Sequence, residues 1–275
     1  MNKQKKNILV TGGCGFIGSN FANELLNYNF NLIIIDNLSR GHRKNLNIIK
    51  SKALKNKLKI FFFKKNLLNY KVIEKIFKQF KIDFIYHFAA FSNVEESIKF
   101  PKNVINNNVQ TTSNLIKLAK KYKVKYFIFS SSASVYGNVV FSKSIKENVK
   151  LIPINPYGIS KLKCEKLIIS NSNNSDFQYC IFRYFNVVGK HLFKDIKKKN
   201  NLSLFEKILY CLEKNKIFKI HGKKLNTDDG TPIRDFIHME DVTSAHLKCI
   251  KLKDKKKFWN NVFNIGYNKG VSVLQ

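Results

Sequence analysis

Residues 7–18 constrain the fold of this chain more than any other stretch. Asn7-Ile-Leu-Val-Thr11 is a short apolar run, Gly12-Gly13-Cys14-Gly15-Phe16-Ile17-Gly18 follows it directly, and Phe21, Leu25 and Leu26 then recur at helical spacing. That is a strand turning through glycine into a helix. Glycines at 12, 15 and 18 let the backbone approach a pyrophosphate closely, and the start of the helix offers N–H groups and a positive dipole to it. Leu32 to Ile35 reads as the next strand and delivers Asp36, eighteen residues past Gly18. A carboxylate there can accept from a ribose hydroxyl. The pattern predicts a dinucleotide site. Asp36 would repel an additional phosphate, which favours NAD over NADP, while Arg40 and Arg43 nearby argue the other way.

The alternation continues along the chain. Leu58 to Phe63, Phe84 to His87 and Tyr126 to Ser130 read as strands, with Tyr70 to Phe80 and Asn106 to Tyr122 as the helices between them. Strands alternating with helices imply an α/β fold, a doubly wound parallel sheet. Ligands of such sheets sit beyond the carboxyl ends of the strands. Ser130-Ser131-Ser132 falls at that edge after the fifth strand, and Tyr157-Gly-Ile-Ser-Lys161 opens the next helix, with Asn155 as cap and Pro156 at the first helical position. Residues four apart share one helix face, so Tyr157 and Lys161 project together. An ammonium beside a phenol favours the phenolate, which is the form a base needs. Ser132, Tyr157 and Lys161 are therefore the candidate catalytic residues.

Composition narrows the partners. The formal net charge is +32, yet only four of the 50 basic residues are arginine and the lysines are scattered through every segment. No combined aromatic and basic face can be defined, so neither nucleic acid nor a membrane surface is expected as a partner. No window approaches the ~20 apolar residues of a membrane span. Five widely spaced cysteines, with no paired metal or redox spacing, suit a reducing compartment and a cytoplasmic protein. Met1 to Lys6 followed by Ile8-Leu9-Val10 resembles the start of a signal peptide, but glycines interrupt the apolar run at once. His87 and His238 lack a ligand partner at metal spacing, so no metal site is expected.

At this point the chain resembles the extended short-chain dehydrogenase/reductase superfamily, and within it the UDP-glucose 4-epimerase family. The residues carrying the resemblance are TGGCGFIGSN from Thr11, DNLSRG from Asp36, HFAA from His87, SSSASVYG from Ser130 and YGISK from Tyr157. RYFNVVG from Arg183, NTDDGTPIRDFIHMEDV from Asn226 and NIGYNKGVSV from Asn264 extend it over essentially the whole chain. Relatives that dehydrate nucleotide sugars carry an Asp-Glu pair after the serine of the fifth-strand motif. Ala133-Ser134 stands there in this chain.

The resemblance implies a Rossmann domain for NAD over residues 1–186 and a smaller, incomplete substrate region over 187–275, of which 233–265 returns to the first unit. It adds Phe16, Ile17, Asn37, Asn66, Leu67 and Phe88 to the cofactor-binding residues, together with Ala89, Ala90, Asn108 and Tyr184, beside Tyr157 and Lys161. For a UDP-hexose substrate it implies Ser132 and Tyr157 at the sugar, Asn186 and Asn201 near the diphosphate and sugar, His221 at the uracil and Arg234 on the diphosphate. The plain alternative for Arg234 is an ion pair with Asp235.

The implied chemistry is epimerisation at carbon 4 of the hexose, with Lys161 holding Tyr157 acidic, in a homodimer. A 4-epimerase acting on UDP-N-acetylhexosamine or UDP-uronate is the alternative within the class, and a non-catalytic NAD-binding protein is the alternative outside it. The chain departs from the family pattern at Asn66, where an aspartate is common, at Ile159 for a lysine and at Leu225 for a tyrosine. Family members also continue beyond the NIGYNKGVSV stretch, so the substrate site is expected to be open at Gln275.

Overall fold

The computed structural model of the protein describes residues 5–138, 144–173, 176–189, 204–220 and 224–275. Strands β1 (Asn7–Thr11), β2 (Asn31–Ile35), β3 (Ile60–Phe63), β4 (Phe84–His87), β5 (Tyr126–Ser132) and β6 (Gln178–Tyr184) form most of one sheet. Helices α1 (Phe16–Leu25), α2 (Arg43–Lys55), α3 (Tyr70–Gln79), α4 (Val94–Lys99), α5 (Pro101–Lys121) and α6 (Pro156–Ser172) lie between them. The remainder supplies β7 (Asn186–Val188), α7 (Leu204–Glu213), β8 (Ile233–His238), α8 (Met239–Lys251), β9 (Asn261–Ile265) and β10 (Gly270–Ser272).

The main sheet has seven strands in the order β3-β2-β1-β4-β5-β6-β9, every pair parallel. This is the doubly wound α/β fold expected from the alternation. Period-two side-chain alternation explains why its strands are apolar throughout. Ile8 and Val10 point to a core shared with Phe21, Leu25, Tyr86 and Val242, whereas Leu9 points to the opposite core with Ile73, Ile85, Leu115 and Ile168. Fully burying one such side chain contributes about 1.5–3 kcal/mol. Because both faces are covered, a single polar residue in the middle of these strands would face an apolar layer whichever way the register slipped.

Several boundaries differ from the sequence reading. Helix α5 starts at Pro101, five residues earlier than its apolar spacing shows, because proline at the first turn needs no hydrogen-bond partner for its nitrogen. Helix α2 was not legible beneath its lysines, although Leu46, Ile49 and Ala53 face the core at helical spacing. Strand β5 runs through Ser132 instead of ending at Ser130, so the serine run is paired strand and not loop. Within 233–265, helix α8 packs on the α1 face and β9 joins β6, but β8 pairs with β7 and β10 in a separate three-stranded sheet.

Candidate active site

Chain order and sheet order part company between β1 and β4. The chain leaves β1 toward β2 on one side and reaches β4 on the other, which opens a crevice beyond the carboxyl ends of the strands. A cleft of about 280 Å³ occupies that place, lined among others by Gly12, Gly15, Phe16, Ile17, Gly18, Asp36, Asn37, Asn66, Leu67, Phe88, Ala89 and Ala90. Tyr157, Lys161 and Tyr184 line its far end. The turn after β1 is built for close approach. Gly12 has φ +69°, and a Cβ there would come within 2.7 Å of the Ala89 nitrogen. A Cβ on Gly15 would meet only the Gly12 carbonyl oxygen, at 3.3 Å, and would otherwise project into open space. Gly15 also caps α1 without a side-chain acceptor, so no side chain of the cap competes with an anion for the first-turn amides.

Asp36 does more than face the cleft. Its Oδ2 accepts from the Cys14 amide at 2.9 Å and its Oδ1 from the Leu38 amide at 2.8 Å, so it ties the glycine turn to the end of β2. Burial raises its carboxyl above the ordinary value, and the two amide donors oppose that. Burial, with the Asp36 charge added, pushes the Cys14 thiol up to about 12. The Cys14 carbonyl in turn accepts from the His42 amide and from Asn45 Nδ2, a brace that the sequence did not signal.

Arg40 lines the cleft beside Asp36, but its guanidinium reaches Glu96 at 2.5 Å and lies 4.3 Å from the centroid of the Phe91 ring. A paired and stacked arginine has little left for a second phosphate, and the charge beside the ribose position remains that of Asp36.

At the other end, Asn155 Oδ1 accepts from the Gly158 amide at 2.8 Å and starts α6 where expected. Lys161 is buried. Its Nζ donates to the Ser130 carbonyl at 2.6 Å and lies 4.8 Å from the Phe129 ring centroid and 5.8 Å from that of Tyr157. Burial lowers its pKa to about 8, with Cys164 and Glu165 opposing. The Tyr157 phenol is pushed up to about 12 by burial; the Ser132 hydroxyl, hydrogen-bonded to it, opposes that rise. In the protein alone burial is the largest influence on the phenol, and Lys161 is not among the groups that shift it.

The remaining predicted positions divide. Asn66 Oδ1 accepts from the Leu68 amide at 3.0 Å, closing a turn on the cleft wall. Asn108 does not reach the cleft surface: it is buried, its Oδ1 accepts from the Phe91 amide, and its Nδ2 donates to the Phe91 carbonyl and Ser160 Oγ. Asn107 and Thr111 of the same helix line the cleft in its place. Tyr184 is held from behind by His246 Nε2 at 2.7 Å.

His87 sits between Thr11 and Thr112 hydroxyls and His238 Nδ1 accepts from the Glu240 amide, so both are structural. No cluster able to hold a metal occurs among the described residues. Asn186 Nδ2 donates to the Asp235 carbonyl at 3.2 Å. Arg234 is exposed and, among the described residues, bonds its neighbour's carbonyl, while the Asp235 carboxylate accepts from the Tyr267 and Asn268 amides, so the alternative ion pair is not formed. Asn201 and His221 lie outside the described residues.

The sequence profile of the NAD dependent epimerase/dehydratase family matches residues 8–266. The chain belongs to this family. Its cofactor is NAD, in keeping with the acidic ribose position and the open glycine cradle. Among family members, UDP-glucose 4-epimerase of Dictyostelium discoideum is 35% identical over 273 residues, 98% of this chain and 78% of its own length. The structure of UDP-glucose 4-epimerase from Bifidobacterium longum in complex with NAD+ and UDP superposes with a TM-score of 0.85 at 32% identity, over 98% of this chain and 80% of that one. The UDP-Glc/GlcNAc 4-epimerase of Campylobacter jejuni matches at 36% identity and TM-score 0.82, over 98% and 80%.

Proposed function

We propose that this chain interconverts UDP-glucose and UDP-galactose by oxidising and re-reducing carbon 4 of the hexose. The observation that carries this reading is that Tyr157 and Lys161 stand together on the wall of the dinucleotide cleft, with the Ser132 hydroxyl near enough to lower the pKa of the phenol. Bound NAD supplies the hydride acceptor and then the hydride donor. Tyr157 takes the proton of the sugar 4-hydroxyl as the carbon–hydrogen bond breaks, and Ser132 hydrogen-bonds the same oxygen. The resulting 4-keto sugar turns over in the site, and Tyr157 returns the proton when the opposite face is reduced, so the cofactor ends unchanged.

Lys161, anchored on the Ser130 carbonyl, orients toward the phenol and the ribose position. Ala133 and Ser134 offer no acid and base for a dehydration, which favours epimerisation over that branch of the family. Asn186 and Arg234 are the substrate-side residues, and the Arg234 guanidinium, exposed and without a carboxylate partner among the described residues, suits diphosphate oxygens.

The test is direct. Purified protein given UDP-galactose should form UDP-glucose with no net reduction of NAD, and Tyr157→Phe should retain NAD but exchange nothing. Normal turnover by that variant would refute the assigned base. A second reading, activity toward UDP-N-acetylhexosamines as well, is favoured by the 36% identity to the Campylobacter jejuni UDP-Glc/GlcNAc enzyme. Side-by-side kcat/KM values for the two sugar classes decide it.

The thiols of all five cysteines are unpaired, which suits a cytoplasmic location. A homodimer is the expected assembly, and exposed Ile98 and Phe100 on the α4–α5 side offer apolar surface for it. A light-scattering mass of one chain would rule that assembly out.

A further inference from the structure

Beneath the catalytic residues lies a buried ion pair that the reaction as described does not use. Glu165 stands on α6, four residues past Lys161 and eight past Tyr157, on the same helix face. Its carboxylate receives the Arg183 guanidinium as a fork, Nε on Oε1 at 3.1 Å and Nη2 on Oε2 at 2.7 Å. The Ser131 hydroxyl also donates to Oε1. Arg183 uses its third nitrogen, Nη1, on the Tyr136 hydroxyl at 2.8 Å and the Glu147 carbonyl at 3.0 Å, and the Tyr136 hydroxyl donates to Asn264 Oδ1 at 2.6 Å. Both charged side chains are at most 4% exposed.

The sheet register shows why this cluster lies where it does. Ser131, Arg183 and Asn264 are Cα partners across β5, β6 and β9, so they form one polar row facing α6. The next row outward pairs Ser132 with Tyr184, and Tyr184 lines the cleft. A carboxylate of α6 is thus bound to the strand position just before Ser132. The charge-assisted fork ties α6 to β6 and the Ser131 hydroxyl ties it to β5, and a bidentate pair fixes orientation as well as distance.

Resting on the epimerase reading, we propose that Glu165, clamped by Arg183 and Ser131, is the positioning residue that sets α6 against β5 for catalysis and supplies the negative charge facing Lys161. The titratable groups around Lys161 are Tyr157, Cys164 and Glu165 of its own helix and His87 of β4. His87 is neutral above pH of about 3 and burial keeps the Cys164 thiol protonated; the carboxylate of Glu165, held by the Arg183 fork, is the acidic side chain of this set placed to favour a charged Lys161.

The experiment compares wild type, Glu165→Gln and Ser131→Ala with NAD bound, reading melting midpoint, NAD retention, kcat, KM for UDP-glucose and the pH profile of kcat. Glutamine keeps the shape and loses the charge; Ser131→Ala removes one bond and leaves the ion pair intact, so it remains informative if the first variant does not fold. Expected are retained NAD, KM within about threefold and kcat lower by roughly 10- to 100-fold for Glu165→Gln, with a smaller kcat loss for Ser131→Ala. The alkaline limb, where Lys161 sheds its proton, should also move to lower pH by about half a unit or more in Glu165→Gln. Unchanged kcat and an unmoved alkaline limb in a folded Glu165→Gln would overturn the proposal. So would an unchanged kcat in Ser131→Ala if Glu165→Gln is unfolded. An inactive wild type that still binds NAD would instead refute the epimerase reading.

Discussion

The Tyr157 phenol offers the sharpest quantitative test, because its surroundings in the protein alone work against its proposed role. Its pKa is pushed up to about 12, chiefly by burial, and at neutral pH the phenolate therefore lies about five pH units uphill. At ~1.4 kcal/mol per unit that is about 7 kcal/mol. Lys161 does not cancel this, since its own pKa is lowered to about 8 and its ammonium is committed to the Ser130 carbonyl.

Further positive charge would come from the oxidised nicotinamide, so binding of NAD+ should bring the phenol down toward the neutral range. The sign follows from linkage: a ligand that prefers the phenolate binds more tightly as pH rises, by about tenfold per unit between the two midpoints. Absorbance titration of tyrosinate should thus reveal, only with saturating NAD+, one ionisation in the neutral range that is missing from Tyr157→Phe. Isothermal titration with NAD+ at rising pH should show the matching gain in affinity. Identical tyrosine titrations with and without NAD+ would refute this account of how the base is generated.

Removing the Asp36 carboxylate by Asp36→Ala should weaken NAD retention by roughly tenfold or more, since it takes away the ribose acceptor and frees the Cys14 and Leu38 amides together. Equal NAD affinity in fluorescence titrations would remove the ribose assignment. His246, buried between the Val242 carbonyl and the Tyr184 hydroxyl, has its pKa lowered to about 4 by burial. It is neutral in the folded state and charged in the unfolded state below about 6.5, so stability falls as pH drops from there toward 4. Denaturant melts of wild type should lose about 2 kcal/mol more between pH 7 and 5 than those of His246→Gln, and parallel losses would contradict the sign.

The sheet was legible because its strands are covered on both faces, so their apolar runs announce themselves whatever surrounds them. The glycine turn and the cap on α6 were legible for a related reason: Gly12 and Asn155 meet requirements set within a few residues of the chain. Helix α2 was hidden by lysines interleaved with its few apolar core residues, and α4 is too short to show a period.

What the sequence determined by itself was the strand and helix alternation from β1 to α6, α2 and α4 apart, the dinucleotide turn and the pairing of Tyr157 with Lys161 on one helix face, all of which depend on local spacing. Tertiary structure alone decided the rest. Partners 18 to 128 residues apart along the chain, Glu165 with Arg183 and Tyr136 with Asn264, meet only when strand register brings them level. The direction of the Tyr157 and Lys161 pKa shifts belongs to the same class, because hydration is lost only when α6 packs against the sheet.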